Sequence, residues 1–466
     1  MALPNTHHGY CRIREILADC KRILFIGIGG VSMSSLAELT LADGMEVWGS
    51  DRTESERLER LRGLGATVYC GHDVSHLEGV GAVVYTVAID QSNPEYSEAL
   101  LRGIPLISRS DYLGYLMMRY RNRIGIAGMN GKSTTTALCA HFLKGHGHPT
   151  VFCGAEAETL GNSTCVIGAD RDMVIFEACE YMDSFLDFNP TLSVLLNLGM
   201  DHVDYFHSME QIRESFLGFA MRTEEGGTVL YNADSRELVR AMENYRGRTL
   251  TFGVKKPADF TAENIRSVRG CRSFSFCFQG RELCRLKLSL PGEFQIYNTL
   301  AAASAAYLSG ASPEEIAEKI ATFDGVHRRM EYKGRLNGAA VYADYSHHPT
   351  AIKAVLESVS EMGYRRVLCA YQPHTYSRTA GLFEEFAAAF DDADLTYLAD
   401  IYAARERNES GVTSRQLAER IGERAVYCGD FQTLAERLKQ DATEGDLLLI
   451  MGAGDIEKVY PLISLK

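Results

Sequence analysis

Short apolar runs alternate with helix-like amphipathic stretches along most of this chain. The first run covers residues 22–26, ends at a glycine, and is followed by a helical pattern through Leu36 and Leu39. Runs of this length, bounded by turn residues, are typical of buried strands. Strands that alternate with helices at this spacing indicate a parallel sheet with helices on both faces. The pattern therefore predicts an α/β protein.

The predicted strands fall into three blocks. They are 22–26, 46–49 and 82–86 in the first block, 124–127, 173–176 and 192–196 in the second, and 340–343, 367–371, 395–399 and 447–451 in the third. In the second block, helices are predicted at 133–145 and 296–308. Segments 273–278 and 285–290 alternate apolar and polar residues around Gly280, which predicts an antiparallel hairpin.

Length and composition agree with several α/β domains. The chain has 466 residues, of which 46% are hydrophobic and 23% charged, as expected for a soluble globular protein. At about 150 residues per domain, this length corresponds to roughly three domains. A polar linker at 119–123 separates the first two blocks, and we expect domains at residues 1–118, 119–326 and 327–466.

Three further features restrict the location and the partners. Every apolar run is far shorter than the roughly 20 residues of a membrane span, and the N-terminus lacks the layout of a signal peptide. The net charge of -13 argues against a nucleic-acid partner. Twelve cysteines occur without a C-x-x-C pair, which favours free thiols in a reducing compartment. We therefore expect a cytoplasmic protein with no membrane span and no nucleic acid.

One glycine loop has the composition of a phosphate-binding loop. It reads Gly-Met-Asn-Gly-Lys-Ser-Thr from Gly128 to Thr134, between a predicted strand and a predicted helix. Glycines let backbone N–H groups converge on phosphate oxygens, and the helix N-terminus adds partial positive charge. Lys132 would supply a mobile cation and Ser133 a hydroxyl ligand for Mg²⁺. The spacing matches a shorter variant of the common motif, and a chance turn is the alternative.

A second glycine loop follows the first strand. It reads Gly27-Ile-Gly29-Gly30-Val-Ser32, and Asp51 ends the next strand about 20 residues later. This arrangement is similar to a dinucleotide fingerprint in which Ser32 takes the place of the last glycine. The loop requires only a pyrophosphate or a similar anion near the helix N-terminus. A nucleotide-sugar diphosphate would therefore suit it as well as NAD.

Polar side chains follow two strands of the second block. Glu177 comes at the end of one strand, and Asn197, Asp201 and His202 come just after another. In an open parallel sheet, ligands bind in the crevice outside the carboxyl ends of the strands. A carboxylate there can be a ligand of Mg²⁺ beside a triphosphate. Taken singly, the histidine could be an ordinary loop residue and the glutamate part of a structural ion pair.

The third block has two polar segments of the same kind, at 344–349 and 372–378, each directly after a strand. The adjacent histidines His347 and His348 suggest a metal at first sight, but neighbouring residues rarely face one ion. We expect these segments to form a binding face turned toward the phosphate loop.

Together these segments resemble the Mur ligase family. Besides the two glycine loops, the likeness includes segments 177–185, 197–205, 325–329, 344–349, 372–378, 402–406 and 452–456. Each segment alone is modestly specific, but their order and spacing across three predicted domains are highly specific. The resemblance implies a Rossmann-like N-terminal domain that binds a UDP-sugar, a central phosphate-loop ATPase with a mostly parallel sheet, and a Rossmann-like C-terminal ligase domain.

The resemblance also implies a function. A member of this family is expected to phosphorylate the carboxylate of UDP-N-acetylmuramate with ATP and Mg²⁺. L-alanine would then attack the acyl phosphate to form an amide, as a step of peptidoglycan precursor synthesis. The expected oligomeric state is a monomer or a weak homodimer.

Individual residues receive roles from the resemblance. ATP is expected to contact Gly128, Asn130, Gly131, Lys132, Ser133, Thr134, Asn298, Arg329, Asp344 and Tyr345. The metal ligands are expected to be Ser133, Glu177 and His202. The UDP-sugar acid is expected to contact Gly27, Gly29, Gly30, Ser32, Asp51, His374 and Arg378. The catalytic set is Lys132, Glu177, His202, Arg329 and His348, where His348 is a candidate for the base that deprotonates the amine.

Three segments, five residues in all, depart from the pattern of the alanine-adding members. Met129-Asn130 replaces a Thr-His pair, and Thr375 replaces an arginine. Phe294-Gln295 replaces a His-Asn pair that usually contacts the nucleotide, whereas Asn298 is retained.

Other functions are compatible with parts of the pattern. A ligase that adds a whole peptide or another amino acid would keep the chemistry and change the amine. An NAD(P)-dependent oxidoreductase would use the first glycine loop but leave the second loop and the third block unexplained. A nucleotide-sensing protein without turnover is suggested by Phe294-Gln295.

Overall fold

The computed structural model describes residues 3–202, 205–268, 271–404 and 406–465. Val203, Asp204 and Arg405 belong to segments that carry the family resemblance, and they lie outside the described residues. Three sheets follow one another along the chain, and each has helices packed around it. The expected α/β fold class is confirmed.

The first sheet has five parallel strands in the order β3-β2-β1-β4-β5. Its strands are β1 (Arg22–Ile26), β2 (Glu46–Asp51), β3 (Thr67–Cys70), β4 (Ala82–Tyr85) and β5 (Leu106–Ser108). Its helices are α1 (Gly9–Leu17), α2 (Val31–Ala42), α3 (Glu56–Gly63), α4 (Pro94–Leu101) and α5 (Arg109–Met117), with a 3-10 turn at Val74–Leu77. The strand predicted at 82–86 is therefore the fourth, because β3 is a half-exposed edge strand without a continuous apolar run.

The central sheet has ten strands in the order β15-β14-β13-β12-β11-β10-β6-β9-β7-β8. Its strands are β6 (Asn122–Ala127), β7 (Thr150–Ala157), β8 (Ser163–Val166), β9 (Met173–Glu177), β10 (Leu192–Leu195), β11 (Thr228–Asn232), β12 (Thr249–Gly253), β13 (Phe260–Val268), β14 (Cys271–Phe278) and β15 (Arg281–Pro291). Strand β8 pairs antiparallel with β7, and β14 pairs antiparallel with β13 and β15. The predicted hairpin around Gly280 is confirmed as β14 and β15.

The helices of the central sheet are α6 (Lys132–Leu143), α7 (Met209–Met221), α8 (Arg236–Met242), α9 (Phe294–Leu308) and α10 (Pro313–Ile320), with 3-10 turns at Glu158–Leu160 and Tyr181–Asp187. Helices α6 and α9 are largely buried. Every residue from Ser133 to Ala140 of α6 is buried, and so is every residue from Thr299 to Ala306 of α9. Both predicted helices are present, and α6 begins one residue earlier and ends two residues earlier than expected.

The third sheet has the order β16-β17-β21-β18-β19-β20, and only β16 runs antiparallel to its neighbour. Its strands are β16 (Glu331–Leu336), β17 (Ala339–Asp344), β18 (Val367–Tyr371), β19 (Leu395–Ala399), β20 (Ala425–Gly429) and β21 (Leu447–Met451). Its helices are α11 (Pro349–Ser360), α12 (Tyr376–Gly381), α13 (Phe383–Ala388), α14 (Ser414–Ile421), α15 (Phe431–Asp441) and α16 (Tyr460–Ile463), with a 3-10 turn at Ile456–Val459.

Strand register brings the polar segments together at the edges of two sheets. Strand β6 lies between β9 and β10, with Ile126 opposite Glu177 and Ala127 opposite Leu195. The loops that follow these three strands therefore leave the same edge. In the third sheet, Met451 lies opposite both Asp344 and Tyr371, so the loops after β17, β18 and β21 also share an edge.

Two expectations about the whole chain can be compared with the described residues. No helix within them is long and apolar enough to cross a membrane. All twelve cysteines are described and free, which confirms the expectation of free thiols, although Cys11 and Cys70 are exposed.

Candidate active site

The loop between β6 and α6 approaches two other elements so closely that it requires glycine. Gly131 has φ +89°, and a Cβ atom there would lie 2.3 Å from the side-chain oxygen of Asn298 on α9. Gly128 has φ +151°, and a Cβ atom there would lie 2.9 Å from Cβ of Leu196. Positive φ values and close contacts of this kind exclude a side chain without strain. The two glycines therefore fix the path of the loop against α9 and β10.

Asn197, just after β10, holds the same loop from one side. Its Oδ1 accepts a hydrogen bond of 2.8 Å from the backbone N–H of Asn130, and its Nδ2 donates one of 2.8 Å to the Asn130 carbonyl. The backbone N–H of Met129 also donates to the Asn197 carbonyl, at 3.2 Å. The sequence placed Asn197 near the site but did not reveal this clamp, because it depends on the distance between two loops.

Lys132 is paired with a carboxylate that the sequence did not single out. Its Nζ donates to Oε2 of Glu180 at 2.9 Å and also to the carbonyl of Gly128. The two side chains are only 16% and 5% exposed. Burial opposes the charge on Lys132, but the carboxylate of Glu180 outweighs it and holds the lysine pKa above its usual value. The lysine is thus kept as a cation at the mouth of the loop.

The thiol of Cys153 contacts both Glu177, at the end of β9, and the backbone of Ser133. Oε1 of Glu177 accepts from the backbone N–H of Gly154 and from the thiol of Cys153 at 3.4 Å. The same thiol lies 3.6 Å from the Ser133 carbonyl oxygen. No hydrogen bond to Oε2 of Glu177 is formed by any described residue, so this oxygen is available to a ligand. The thiol of Cys153 thus links Glu177 to the backbone of Ser133, which directly follows Lys132 in the chain.

His202, on the loop after β10, lies against Tyr181. Its ring packs on that of Tyr181 with centroids 4.6 Å apart, and Tyr181 directly follows Glu180. Across the described residues, no three His, Cys, Asp or Glu side chains are gathered as a preformed metal cage. Magnesium usually takes one or two protein carboxylates and completes its shell with phosphate and water oxygens. The free oxygen of Glu177 and the nearby Ser133 fit that requirement.

A cavity of about 380 Å³ opens beside the phosphate loop, between the central sheet and the third sheet. Six of the predicted nucleotide residues line it, namely Asn130, Gly131, Thr134, Asn298, Arg329 and Asp344. The other four, Gly128, Lys132, Ser133 and Tyr345, lie outside its lining. Tyr345 reaches the cavity indirectly, because its ring lies 5.0 Å from the guanidinium of Arg329.

Arg378 joins the third sheet to the loop after β10. Its Nη2 donates to Oδ1 of Asp201 at 2.9 Å, and its Nη1 donates to Nδ1 of His374 at 3.3 Å. Burial opposes the charge on Asp201, but neighbouring His202 and Arg378 hold its pKa well below the usual range. The structure thus brings His374 and Arg378 together where the third sheet and its helices meet the loop after β10.

His348 makes a second contact between the loops of the third sheet and the loop after β10. Its Nε2 donates to the carbonyl of Met200 at 2.9 Å, and its Nδ1 is bonded to the Thr350 hydroxyl at 2.9 Å at the start of α11. Burial lowers its pKa. Since both ring nitrogens are occupied, the neutral ring has no free lone pair for the proton of an amine. His348 thus holds the start of α11, and to act as the predicted base its Nδ1 would first have to release the Thr350 hydroxyl.

The first sheet has its own cavity, of about 410 Å³, at the glycine loop. Its lining includes Gly27, Gly30, Ser32 and Asp51, but not Gly29. Asp51 holds the loop, since its Oδ2 accepts a hydrogen bond of 2.8 Å from the backbone N–H of Gly29.

Two arginines that the sequence did not single out also line this cavity. One is Arg52, and the other is Arg109, whose Nη1 donates to the hydroxyl of Ser32 at 3.0 Å. They supply the positive charge that a diphosphate needs. Arg109 opens α5, far along the chain from the loop, so no local motif points to it.

Two partly buried histidines make stability depend on pH. Burial and the charge of Arg378 lower the pKa of His347 to about 3 and that of His374 to about 4. At these two positions the unfolded chain therefore binds more protons than the folded protein below about pH 6.5, so their contribution to stability falls as the pH falls. When the pH is lowered from about 7 to about 5, we expect the free energy of unfolding to fall by about 2 kcal/mol more in the unmodified protein than in the variant His347→Asn. Urea denaturation at both pH values measures this, and an equal loss in the two proteins would contradict it.

Comparisons with known proteins agree over the whole architecture. Residues 22–121 match the family described as Mur ligase family, catalytic domain; residues 126–306 match Mur ligase middle domain; and residues 328–454 match Mur ligase, glutamate ligase domain. These ranges follow the three sheets.

Relatives of nearly the same length are similar in sequence. The chain is 40% identical over 448 residues to the UDP-N-acetylmuramate–L-alanine ligase of Caldanaerobacter subterraneus subsp. tengcongensis, covering 95% of this chain and 97% of the relative. It is 40% identical over 445 residues to the ligase of the same name from Acetivibrio thermocellus, covering 94% of both chains.

Solved structures are similar in fold. The UDP-N-acetylmuramate–alanine ligase of Thermotoga maritima superposes with a TM-score of 0.77 at 27% identity, covering 94% of this chain and 97% of that one. A murein peptide ligase from Psychrobacter arcticus has a TM-score of 0.68 at 22% identity, covering 95% and 98% of the two chains, and shares the fold.

Proposed function

Because the chain belongs to the Mur ligase family, we propose that it joins L-alanine to UDP-N-acetylmuramate in an ATP-dependent step of peptidoglycan synthesis. It is an acid–amino-acid ligase, like the relatives of that name. The observation that supports the chemistry best is that Lys132, Ser133 and Glu177 are neighbours at the phosphate loop, beside a cavity that is also lined by residues of the third sheet and its helices.

Lys132 is proposed to act on the phosphates. The substrate carboxylate and the terminal phosphate of ATP are both anionic, so they approach only if their charge is neutralised. Lys132 is already a buried cation, held by Glu180 and by the Gly128 carbonyl. We propose that it leaves Glu180 for phosphate oxygens when ATP binds, which moves an existing charge a short distance.

The expected metal is Mg²⁺, and we propose Ser133, Glu177 and His202 as the residues that would hold it. When bound, it would supply further positive charge between the phosphates and the carboxylate. Cys153 and the Gly154 backbone orient Glu177 from behind, which leaves Oε2 for this role.

Water must be kept from the acyl phosphate, which it would hydrolyse. Two hydrogen bonds hold the third sheet and its helices against the loop after β10. One joins Arg378 to Asp201, and the other joins His348 to Met200. We propose that this closure excludes water and orients the amine toward the activated carboxylate, which gives the rate advantage of a positioned reaction. His374 and Arg378 are proposed to contact the sugar acid.

The UDP is proposed to bind the cavity of the first sheet. The glycine loop offers backbone N–H groups at the start of α2, and Arg52 and Arg109 offer positive charge for the diphosphate. We also propose domain boundaries at 1–118, 119–326 and 327–466, a cytoplasmic location, and a monomer or a weak homodimer.

The function is tested by ADP release with UDP-N-acetylmuramate and each of the twenty amino acids. We expect L-alanine to give the highest kcat/KM, and ADP formation to require both the sugar acid and the amino acid. Reactions that lack either substrate are the controls. ADP formation at full rate with ATP alone would contradict the proposal, and so would faster turnover with a peptide than with L-alanine.

A further inference from the structure

A buried carboxylate holds two histidines beside the cavity of the first sheet. Glu95 lies on α4 and is fully buried. Nδ1 of His72 lies 2.8 Å from its Oε2, and Nδ1 of His76 lies 2.6 Å from its Oε1. The hydroxyl of Ser50 also donates to Oε2. Of these four residues, His72 alone lines the cavity.

Glu95 determines which ring nitrogen of His72 carries a proton. Burial opposes the charge on Glu95, but hydrogen bonds from the two histidines and from Ser50 hold its pKa below the usual value. An ionised carboxylate can only accept hydrogen bonds, so Nδ1 of His72 is the donor. In the neutral ring, Nε2 then has a bare lone pair and acts as an acceptor. No hydrogen bond to this Nε2 is formed by any residue that the structure describes.

The strand order indicates which end of a nucleotide-sugar lies near His72. The glycine loop follows β1, in the middle of the sheet, so a diphosphate bound there divides the cavity into two halves. On the side of β5, helix α5 packs against the turn at Tyr181–Asp187. This turn directly follows Glu180, the partner of Lys132. The sugar acid has to reach Lys132 and therefore extends to this side, which leaves the nucleoside on the side of β2 and β3.

Two acceptors are available at the nucleoside end. His72 follows the end of β3 by two residues, and Asp51 ends β2. The oxygens of Asp51 already accept from the backbone N–H groups of Gly29 and Arg52, at 2.8 and 2.7 Å. The ribose hydroxyls are the donors of a nucleoside that lie nearest to its diphosphate. The bare Nε2 of His72 is suited to accept from one of them.

We propose that Nε2 of His72 accepts a hydrogen bond from a ribose hydroxyl of the UDP-sugar, and that Glu95 is the positioning residue that keeps this nitrogen an acceptor. The proposal rests on the proposed function, in which the UDP binds this cavity. His72 then selects a ribonucleotide over a deoxynucleotide, whereas Arg52 and Arg109 meet the charge of the diphosphate.

The probes are UDP, 2′-deoxy-UDP and 3′-deoxy-UDP, each titrated into the whole protein by calorimetry without ATP. The pH is about 8, at which an ordinary imidazole is neutral. We expect one of the two deoxy analogues to bind about fivefold more weakly than UDP, as the loss of one neutral hydrogen bond requires. Equal binding of all three would overturn the proposal. If UDP did not bind at all, the placement of UDP within the proposed function would be wrong instead.

A pair of matched variants assigns the hydroxyl to His72. His72→Phe keeps a flat ring but has no nitrogen, so the ratio of the dissociation constants of the deoxy analogue and UDP should fall to about one. His76→Phe makes the same change at the other oxygen of Glu95, where the ring stacks on Tyr69 outside the cavity lining, and the ratio should stay at about five. A fivefold ratio that persists in His72→Phe would assign the hydroxyl to another acceptor, such as Asp51, and would refute the proposal.

The role of Glu95 is tested by the tautomer of His72. In protein with isotope-labelled histidine, nuclear magnetic resonance should show His72 with a proton on Nδ1 and none on Nε2, and its signal is identified by its loss in His72→Phe. Glu95→Leu removes both carboxylate oxygens and should lower the ratio to less than about half of its original value, with the fold verified by circular dichroism. A purely structural role of Glu95 would weaken the binding of all three nucleotides alike. That outcome, or a proton on Nε2 in the unmodified protein, would contradict the positioning role.

Discussion

Replacing Lys132 by methionine is expected to lower kcat for alanine-dependent phosphate release by about 10³-fold, while the fold is retained. One preorganised charge at the reacting groups is commonly worth about 10² to 10³ in rate. In this protein the loss should be at the upper end, because the lysine is buried and the cation is already formed. Single-turnover phosphate release measures the effect, and circular dichroism verifies the fold.

Two controls accompany Lys132→Met. One is a double variant that also changes its partner Glu180, and the other is a variant of Lys319, which contacts the far end of α6. Lys132→Met leaves Glu180 as a buried, unpaired carboxylate, which destabilises a protein. The double variant Lys132→Met, Glu180→Gln should therefore recover thermal stability but not activity. Lys319 donates to the carbonyls of Phe142 and Lys144 at the other end of α6, and Lys319→Met should keep kcat unchanged. Recovery of activity in the double variant would show that the lysine serves only to neutralise Glu180.

Replacing Arg378 by methionine is expected to lower kcat/KM for the sugar acid by about 10²-fold or more. Removing one partner of a buried ion pair costs about 3–5 kcal/mol, because the other charge is left buried. Asp201 is that charge, and it lies on the opposite lobe. The loss should therefore include both lobe closure and any direct contact of Arg378 with the substrate.

The double variant Arg378→Met, Asp201→Asn distinguishes these two contributions. Because the double variant has no buried carboxylate at position 201, the contact between the third sheet and the loop after β10 should recover, and so should thermal stability. If Arg378 also contacts the sugar acid, as proposed, KM for UDP-N-acetylmuramate should remain raised in the double variant while KM for ATP returns to normal. If the KM values for UDP-N-acetylmuramate and for ATP both returned to those of the unmodified protein, Arg378 would act only through its ion pair with Asp201.

The positions of the main strands could be predicted from sequence because each is a strand-sized run made mostly of apolar residues. Strands β1, β18, β19 and β21 have the predicted bounds. Nine strands were not predicted, namely β3, β5, β7, β8, β11, β12, β13, β16 and β20. Five of them, β3, β5, β8, β16 and β20, lie at a sheet edge, whereas β11, β12 and β13 lie inside the central sheet. Their apolar runs are short or interrupted by polar residues, so tertiary pairing determines these strands.

The candidate site was predicted unevenly for a related reason. The glycine loop and Glu177 stand out because loop and strand ends carry local patterns. Glu180, Arg109 and the Asn197 clamp carry none, since each depends on a partner far along the chain. His348 was predicted as a candidate base, but its hydrogen bond to the carbonyl of Met200 could not be predicted, because Met200 lies far along the chain.

By itself, the sequence determined which segments are strands buried in a parallel sheet, which loops can approach a phosphate, and to which family the chain belongs. These are properties of neighbouring residues, set by apolar spacing and by glycine's conformational range. Only the tertiary structure decided which charges are paired and which polar groups are free, as for Lys132 with Glu180, Arg378 with Asp201, and His72 with Glu95. Charge pairing and hydrogen bonding act over a few ångströms of space, and residues that are distant in sequence reach that range only when the chain folds.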